Sequence, residues 1–182
     1  MNISNYSEVK DNFRKIYENH GRIDILVNSA GIVDDKRISF MTQKSWENVI
    51  NTNLNGTFWA IKSACKFMVK NKGGVILNIS SVVSNKATLG QSNYSSSKAG
   101  IEALTRNSAL EFAKDNIRVN SISPGYVGTD MLSGVSNLEQ IVEKIPLGRI
   151  GNVKDVSELA LFSTVCQVPQ GISLEKDLAS LL

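Results

Sequence analysis

The chain carries a single histidine, His20, and two cysteines, Cys65 and Cys166, among its 182 residues. One imidazole excludes a histidine-built zinc site, and a serine–histidine triad would have to use the one ring that ends a predicted helix. His20 stands just before Gly21, where an imidazole faces the carbonyl terminus of that helix, so its role is read as structural. The cysteines lack C-x-x-C spacing and are read as buried or free thiols; no metal site is expected. No apolar run approaches the roughly 18 residues that a membrane span needs. Residues 1–21 interleave acidic and basic side chains without an apolar signal segment, which predicts a cytoplasmic protein with no membrane partner. An excess of one charge is missing as well. The formal net charge is +3 and the lysines and arginines are scattered, so no nucleic-acid footprint is expected.

What is present is an ordinary globular composition, 42% hydrophobic and 20% charged, in a chain long enough for one domain with a sizeable core. Helical and strand patterns alternate, the mark of an α/β layer with a parallel sheet. Val9, Phe13, Ile16 and Tyr17 recur at helical spacing within 7–20. Ile23 to Val27 is a short apolar run that predicts a strand buried on both faces. A loop over 31–41 precedes one long helical stretch, 43–70. Strands are predicted at 74–79 and 117–122, with a helix over 93–114 between them. Shorter helical patches lie at 137–144 and 153–162. Beyond Ser163 the sequence shows no clear strand pattern and ends in a weak apolar helical signal. Three strands are few for a doubly wound sheet, where five or six are usual.

Three groups of residues point to chemistry. Tyr94 and Lys98 are four apart on a predicted helix and share a face. A phenol with a pKa near 10 is a sluggish acid at neutral pH. A lysine charge about 4 Å away is worth about 4 kcal/mol at an effective dielectric of about 20, or about three pKa units at most. That would poise the phenol. Ser80-Ser81 lies at the carboxyl end of the second strand, where α/β sheets bind ligands, and a hydroxyl there can donate to an oxygen gaining negative charge. Asn28-Ser29-Ala30-Gly31 ends the preceding strand with small residues that let a ligand approach the backbone. Trp46 and Trp59 are read as packing residues, and Tyr126 as either a mouth residue or an exposed ring.

Taken in order, RIDILVNSAGI (22–32), VINTNLNGTF (49–58), GVILNISSVVS (74–84), GQSNYSSSKAG (90–100), IRVNSISPGYVGTDM (117–131) and PLGRIGNVKDVSELALF (146–162) resemble the short-chain dehydrogenase/reductase family, in particular its 3-oxoacyl-(acyl-carrier-protein) reductases. The resemblance implies a partial Rossmann-like, doubly wound parallel sheet that lacks the first strands and the last. It implies a core over 1–162 and a divergent tail over 163–182. It implies a catalytic tetrad of Asn53, Ser81, Tyr94 and Lys98. Tyr94 would protonate a carbonyl oxygen as hydride arrives, and Ser81 would polarise that carbonyl. Lys98 would lower the phenol pKa and bond the nicotinamide ribose, and Asn53 would hold a relay water. NADP(H) or NAD(H) is the implied cofactor, with contacts from Asn28, Ser29, Ala30, Gly31, Tyr94, Lys98, Pro124, Gly125, Val127 and Thr129. Gly31 and its neighbours would lie near the adenosine-side ribose. The implied function is interconversion of a ketone, perhaps a 3-oxoacyl thioester in fatty acid biosynthesis, and a secondary alcohol.

The pattern also fails in places. None of the thirteen glycines forms the G-x-x-x-G-x-G loop that seats a pyrophosphate on a helix N-terminus. The chain begins where the family has already passed two βα units, roughly 60 residues. Asn2-Ile3 replaces the family's Asp-Val pair, Ser29 replaces its second Asn, and the T-G-Q and D-G-G elements that follow Phe162 in the family are missing, as after a shifted reading frame. The alternative expectation is therefore a catalytically silent, truncated remnant or an oligomerising module. A bared apolar edge at 23–27 predicts marginal stability, and the long helices 43–70 and 93–114 predict a homo-oligomer.

Overall fold

The computed structural model describes residues 1–132, 138–166, 170–171 and 173–176. Its centre is a parallel sheet of four strands in the order β1 (Ile25–Asn28), β2 (Gly74–Ile79), β3 (Ile117–Pro124), β4 (Ser173–Lys176). Ile25 is in register with Val75, Gly74 with Ile117, and Ser121 with Ser173. Parallel neighbours need crossovers, and helices supply them. Helix α1 (Tyr6–His20) precedes β1; the crossovers carry α2 (Gln43–Val49), α3 (Gly56–Lys70), α4 (Ser92–Phe112), α5 (Leu138–Glu143) and α6 (Val153–Val165).

Local chemistry sets the helix ends. The Asn5 side chain accepts from the Glu8 amide at 3.2 Å, and the Glu8 carboxylate in turn accepts from the Asn2 amide at 2.8 Å. At the other end of α1, Gly21 takes φ 72° and donates to the Tyr17 carbonyl at 2.8 Å. Asn152 and Asp155 form a reciprocal capping box on α6.

Strand periodicity separates the two faces of the sheet. Ile117, Val119, Ser121 and Ser123 of β3 look toward α3 and α4. Val9, Phe13, Ile61, Ala64, Met68, Ile76, Ile117 and Val119 form the main core on that side. Each fully buried side chain of this kind contributes about 1.5–3 kcal/mol. Arg118 points the other way and donates to the Ser163 and Thr164 carbonyls at 3.2 Å, which places α6 on the opposite face.

Two sequence expectations change and one gains detail. The predicted strand at 23–27 forms at Ile25–Asn28 and is not covered on both faces: Leu26 packs against the core, whereas Ile25 and Val27 remain 51% and 45% exposed. The helix on that face, α6, packs chiefly on β2 and β3. The 43–70 helical stretch runs unbroken between its predicted bounds, with residues Ile50–Asn55 forming a π-helical segment between α2 and α3. The tail is not devoid of sheet, for Ser173–Lys176 takes the place beside β3 where the last strand was expected to be missing. Its strand pattern is too short to read by periodicity. Asn137, at the start of a predicted helix, and the terminal apolar signal at 177–182 lie outside the described residues.

Candidate active site

The carboxyl ends of β1, β2 and β3 bring the sequence-predicted residues to one place. Ser80 and Ser81 leave β2 in opposite directions. The Ser80 amide continues the ladder to the Ile122 carbonyl at 2.7 Å, and its buried hydroxyl donates to the Lys98 carbonyl at 3.2 Å. Ser81, half-buried, turns its hydroxyl into hydrogen-bonding reach of the Tyr94 phenol. Tyr94 and Lys98 lie one turn apart on the same face of α4, the ammonium nitrogen 5.5 Å from the centre of the phenol ring. Lys98 is 4% exposed and donates to the Ile79 carbonyl at 2.7 Å.

Asn53 sits inside the π-helical segment and is fully buried. A π-bulge puts one extra residue into a helical turn and is common where a side chain must be aimed at a site. The Asn53 amide oxygen accepts from the Ile32 amide at 2.8 Å, and its nitrogen donates to the Ile32 carbonyl at 3.0 Å and to the Ser97 hydroxyl at 3.1 Å. Gly31 closes the group. A Cβ placed there would lie 3.5 Å from the Asn53 amide oxygen and 3.7 Å from the Lys98 nitrogen. Gly31 thus leaves open the space beside Lys98, the residue assigned to the nicotinamide ribose.

Burial and neighbouring charges set the proton affinities of the pair. Burial pushes the Tyr94 phenol up; the bond with Ser81 pulls it down, and the Asp35 carboxylate adds a further upward push. Lys98 is itself buried. Its nitrogen is committed to the Ile79 carbonyl, and burial holds its own pKa down to about 8, opposed by Glu102. A raised phenol stays protonated through neutral pH, the form that can donate.

The other predicted contacts fall around this group. Asn28 is tied inward, donating from its side chain to Asn78 at 2.8 Å, and Asn78 donates to the Thr105 hydroxyl at 2.8 Å. Ser29 and Ala30 are exposed. Pro124 ends β3 and is buried, with Gly125 half-exposed beside it. Val127 bridges to Gly151, braced by Gly128 donating to the Gly151 carbonyl at 2.9 Å and Gly151 donating to the Tyr126 carbonyl at 2.8 Å. Thr129 and Tyr126 are exposed.

Sequence reasoning missed several partners. Ser97 donates to the Tyr94 carbonyl at 2.7 Å while accepting from Asn53, so it joins α4 to the π-segment. Asn93 is fully buried and donates to the Asp34 and Ser45 carbonyls at 3.0 and 3.2 Å, fixing the loop before Tyr94. Glu102 is 5% exposed and accepts from Ser121 at 2.8 Å and Ser123 at 2.7 Å. Its only signal in the sequence was a position four residues after Lys98. Of the lesser features, Trp59 packs against the core and on Tyr6 at 4.7 Å, while Trp46 is 41% exposed. Cys65 is buried, its thiol pushed up to about 12, and Cys166 is exposed; neither forms a disulfide. Among the described residues no cluster of side chains suits a metal ion, and no helix is long and apolar enough to cross a membrane.

A phenol, a serine hydroxyl and a buried ammonium are gathered at the open ends of the parallel strands of a partial Rossmann-like sheet. The chain belongs to the short-chain dehydrogenase/reductase family: a family model described as enoyl-(acyl carrier protein) reductase matches residues 1–164. It is 40% identical over 164 residues to the 3-oxoacyl-(acyl-carrier-protein) reductase FabG of Buchnera aphidicola subsp. Baizongia pistaciae, a match covering 89% of this chain and 67% of that protein. Its identity to the reductase of the same name from Chlamydia pneumoniae is 42%, covering 89% of this chain and 66% of that one. With the Thermotoga maritima reductase it is 38%, covering 89% and 67%. The chain spans about two thirds of the length of these curated relatives.

Proposed function

We propose that this site interconverts a ketone and a secondary alcohol with a nicotinamide cofactor, on 3-oxoacyl thioesters of the kind named in the relatives. The observation that supports the reading most strongly is the Ser81–Tyr94 contact at the mouth of the sheet, with Lys98 on the same helix face.

The residues present fit one end of a nicotinamide cofactor. Lys98 has three N–H donors and spends one on Ile79, leaving donors for ribose hydroxyls, and Gly31 leaves the space beside it open. The residues do not supply the other end, since the glycine pattern that cradles a pyrophosphate does not occur in the sequence. When bound, the cofactor supplies hydride. Tyr94 donates its phenolic proton to the carbonyl oxygen, and the Ser81 hydroxyl donates a hydrogen bond to the same atom as charge develops there. Lys98 holds a positive charge next to the phenolate that remains. Asn53, through Ser97, holds the turn that carries Tyr94.

The test is reduction of a 3-oxoacyl thioester by the purified chain with NADPH and with NADH, beside the Tyr94→Phe variant. The reading expects turnover that Tyr94→Phe lowers by about 100-fold or more. Turnover that survives Tyr94→Phe would contradict it.

A second reading is a silent, self-associating module, favoured by the bare Ile25 and Val27 side chains on β1. It predicts association without turnover in either cofactor.

A further inference from the structure

Glu102 is a carboxylate almost wholly out of water, and nothing in the proton transfer described above uses it. Taking a carboxylate out of water is costly unless it is paired and hydrogen-bonded. Two of its bonds come from a single strand: Ser121 and Ser123 of β3 donate to its two oxygens at 2.8 and 2.7 Å. Those serines face α4 because they are two apart on the strand, and Ser123 directly precedes Pro124-Gly125, where β3 ends at the site. On α4 itself, Glu102 lies one turn beyond Lys98.

We propose that Glu102 is a positioning residue of this site: its buried carboxylate clamps the carboxyl end of β3 to α4 through Ser121 and Ser123 and is the counter-charge for Lys98. The proposal deepens the reading above, in which Lys98 is the cation that meets the cofactor. The groups set against Lys98 are few. Tyr94, on the preceding turn of α4, is neutral at pH 7, with Asp35 acting on it from the loop; Asn53, Gly31 and Ile79 present uncharged amides. Glu102 is the anion acting on Lys98, and it opposes the burial that holds the ammonium down to about 8. Without that charge, Lys98 would lose its proton more readily.

The test reads the Lys98 proton directly, so its failure is separate from failure of the oxidoreductase reading. The intact chain is labelled with carbon-13 at lysine Cε and titrated by NMR, with the Lys98 signal assigned by its loss in Lys98→Met. Glu102→Gln is expected to lower the Lys98 midpoint by about one pH unit or more, a tenfold change in proton affinity. At pH 7.5 the protonated fraction would fall from about three quarters to about one quarter. Glu102→Asp keeps the charge and should hold the midpoint within about half a unit of the parent. Should Glu102→Gln fail to fold, the triple variant Glu102→Leu, Ser121→Ala, Ser123→Ala replaces the whole polar cluster by apolar groups and carries the same expectation. An unchanged midpoint in Glu102→Gln or in the triple variant would overturn the proposal. So would equal falls in Glu102→Asp and Glu102→Gln, which would assign the effect to packing.

Discussion

Lys98 of α4 donates its ammonium to the Ile79 carbonyl, the last residue of β2, at 2.7 Å. The bond fixes the helix that carries Tyr94 to the strand that delivers Ser81, and it does so with a buried charge. That charge has a measurable consequence. The folded pKa of Lys98 is about 8 against an ordinary value of 10.5. Between those values the unfolded chain binds more protons than the folded one, so stability rises with pH from about 8 to about 10.5. The cost is fully present below pH 8. It amounts to about 3 kcal/mol. Urea unfolding of the parent and of Lys98→Met at pH 7 and pH 10.5 should show the parent gaining about 3 kcal/mol relative to the variant. A pH-independent difference would contradict the burial of a charged lysine.

Asn53 is expected to hold the site together as much as to serve it. Its side chain satisfies the Ile32 amide, the Ile32 carbonyl and the Ser97 hydroxyl at once. Asn53→Ala should cost about 2–4 kcal/mol in urea unfolding, because partners in a half-buried setting lose their bonds.

Gly56 opens α3 against Ile3. A Cβ there would come within 2.9 Å of two Ile3 side-chain carbons and 3.2 Å of the Ile3 carbonyl. Alanine ordinarily favours a helix over glycine by about 1 kcal/mol. Here Gly56→Ala should instead destabilise by about 1–3 kcal/mol, and adding Ile3→Ala should recover part of that loss. Thermal unfolding of the single and double variants checks this; simple additivity would refute the contact.

Ile25 and Val27 present a half-exposed apolar face on β1. Val27→Lys should reduce self-association, seen by light scattering as a lower apparent mass at equal concentration, without loss of helical circular dichroism. Unchanged association would place the contact elsewhere.

The sequence was most legible where period and order spoke together. The strand at 74–79 appears at the predicted bounds, and α1 and α4 start one residue before them, because long amphipathic patterns and buried apolar runs depend little on distant contacts. The four-residue spacing of Tyr94 and Lys98 placed both on one helix face. Three things were hidden. The π-segment at Ile50–Asn55 has the same apolar spacing as an ordinary helix, so the turn that aims Asn53 could not be seen. The direction of the Tyr94 pKa depends on how much water the fold removes, which the four-residue spacing to Lys98 does not carry. The burial of Glu102 had no signal in the sequence, since its partners Ser121 and Ser123 lie on a strand whose pairing only the fold reveals.

The central claim is that Asn53, Ser81, Tyr94 and Lys98 form one cleft that receives the nicotinamide end of a cofactor. Fluorescence titration of the purified chain with reduced nicotinamide mononucleotide and with NADPH tests it most directly. The account predicts saturable binding of both, with similar affinity because the pyrophosphate seat is not supplied by these residues, preserved in Tyr94→Phe and weakened in Lys98→Met. Absence of saturable binding, or binding untouched by Lys98→Met, would contradict it.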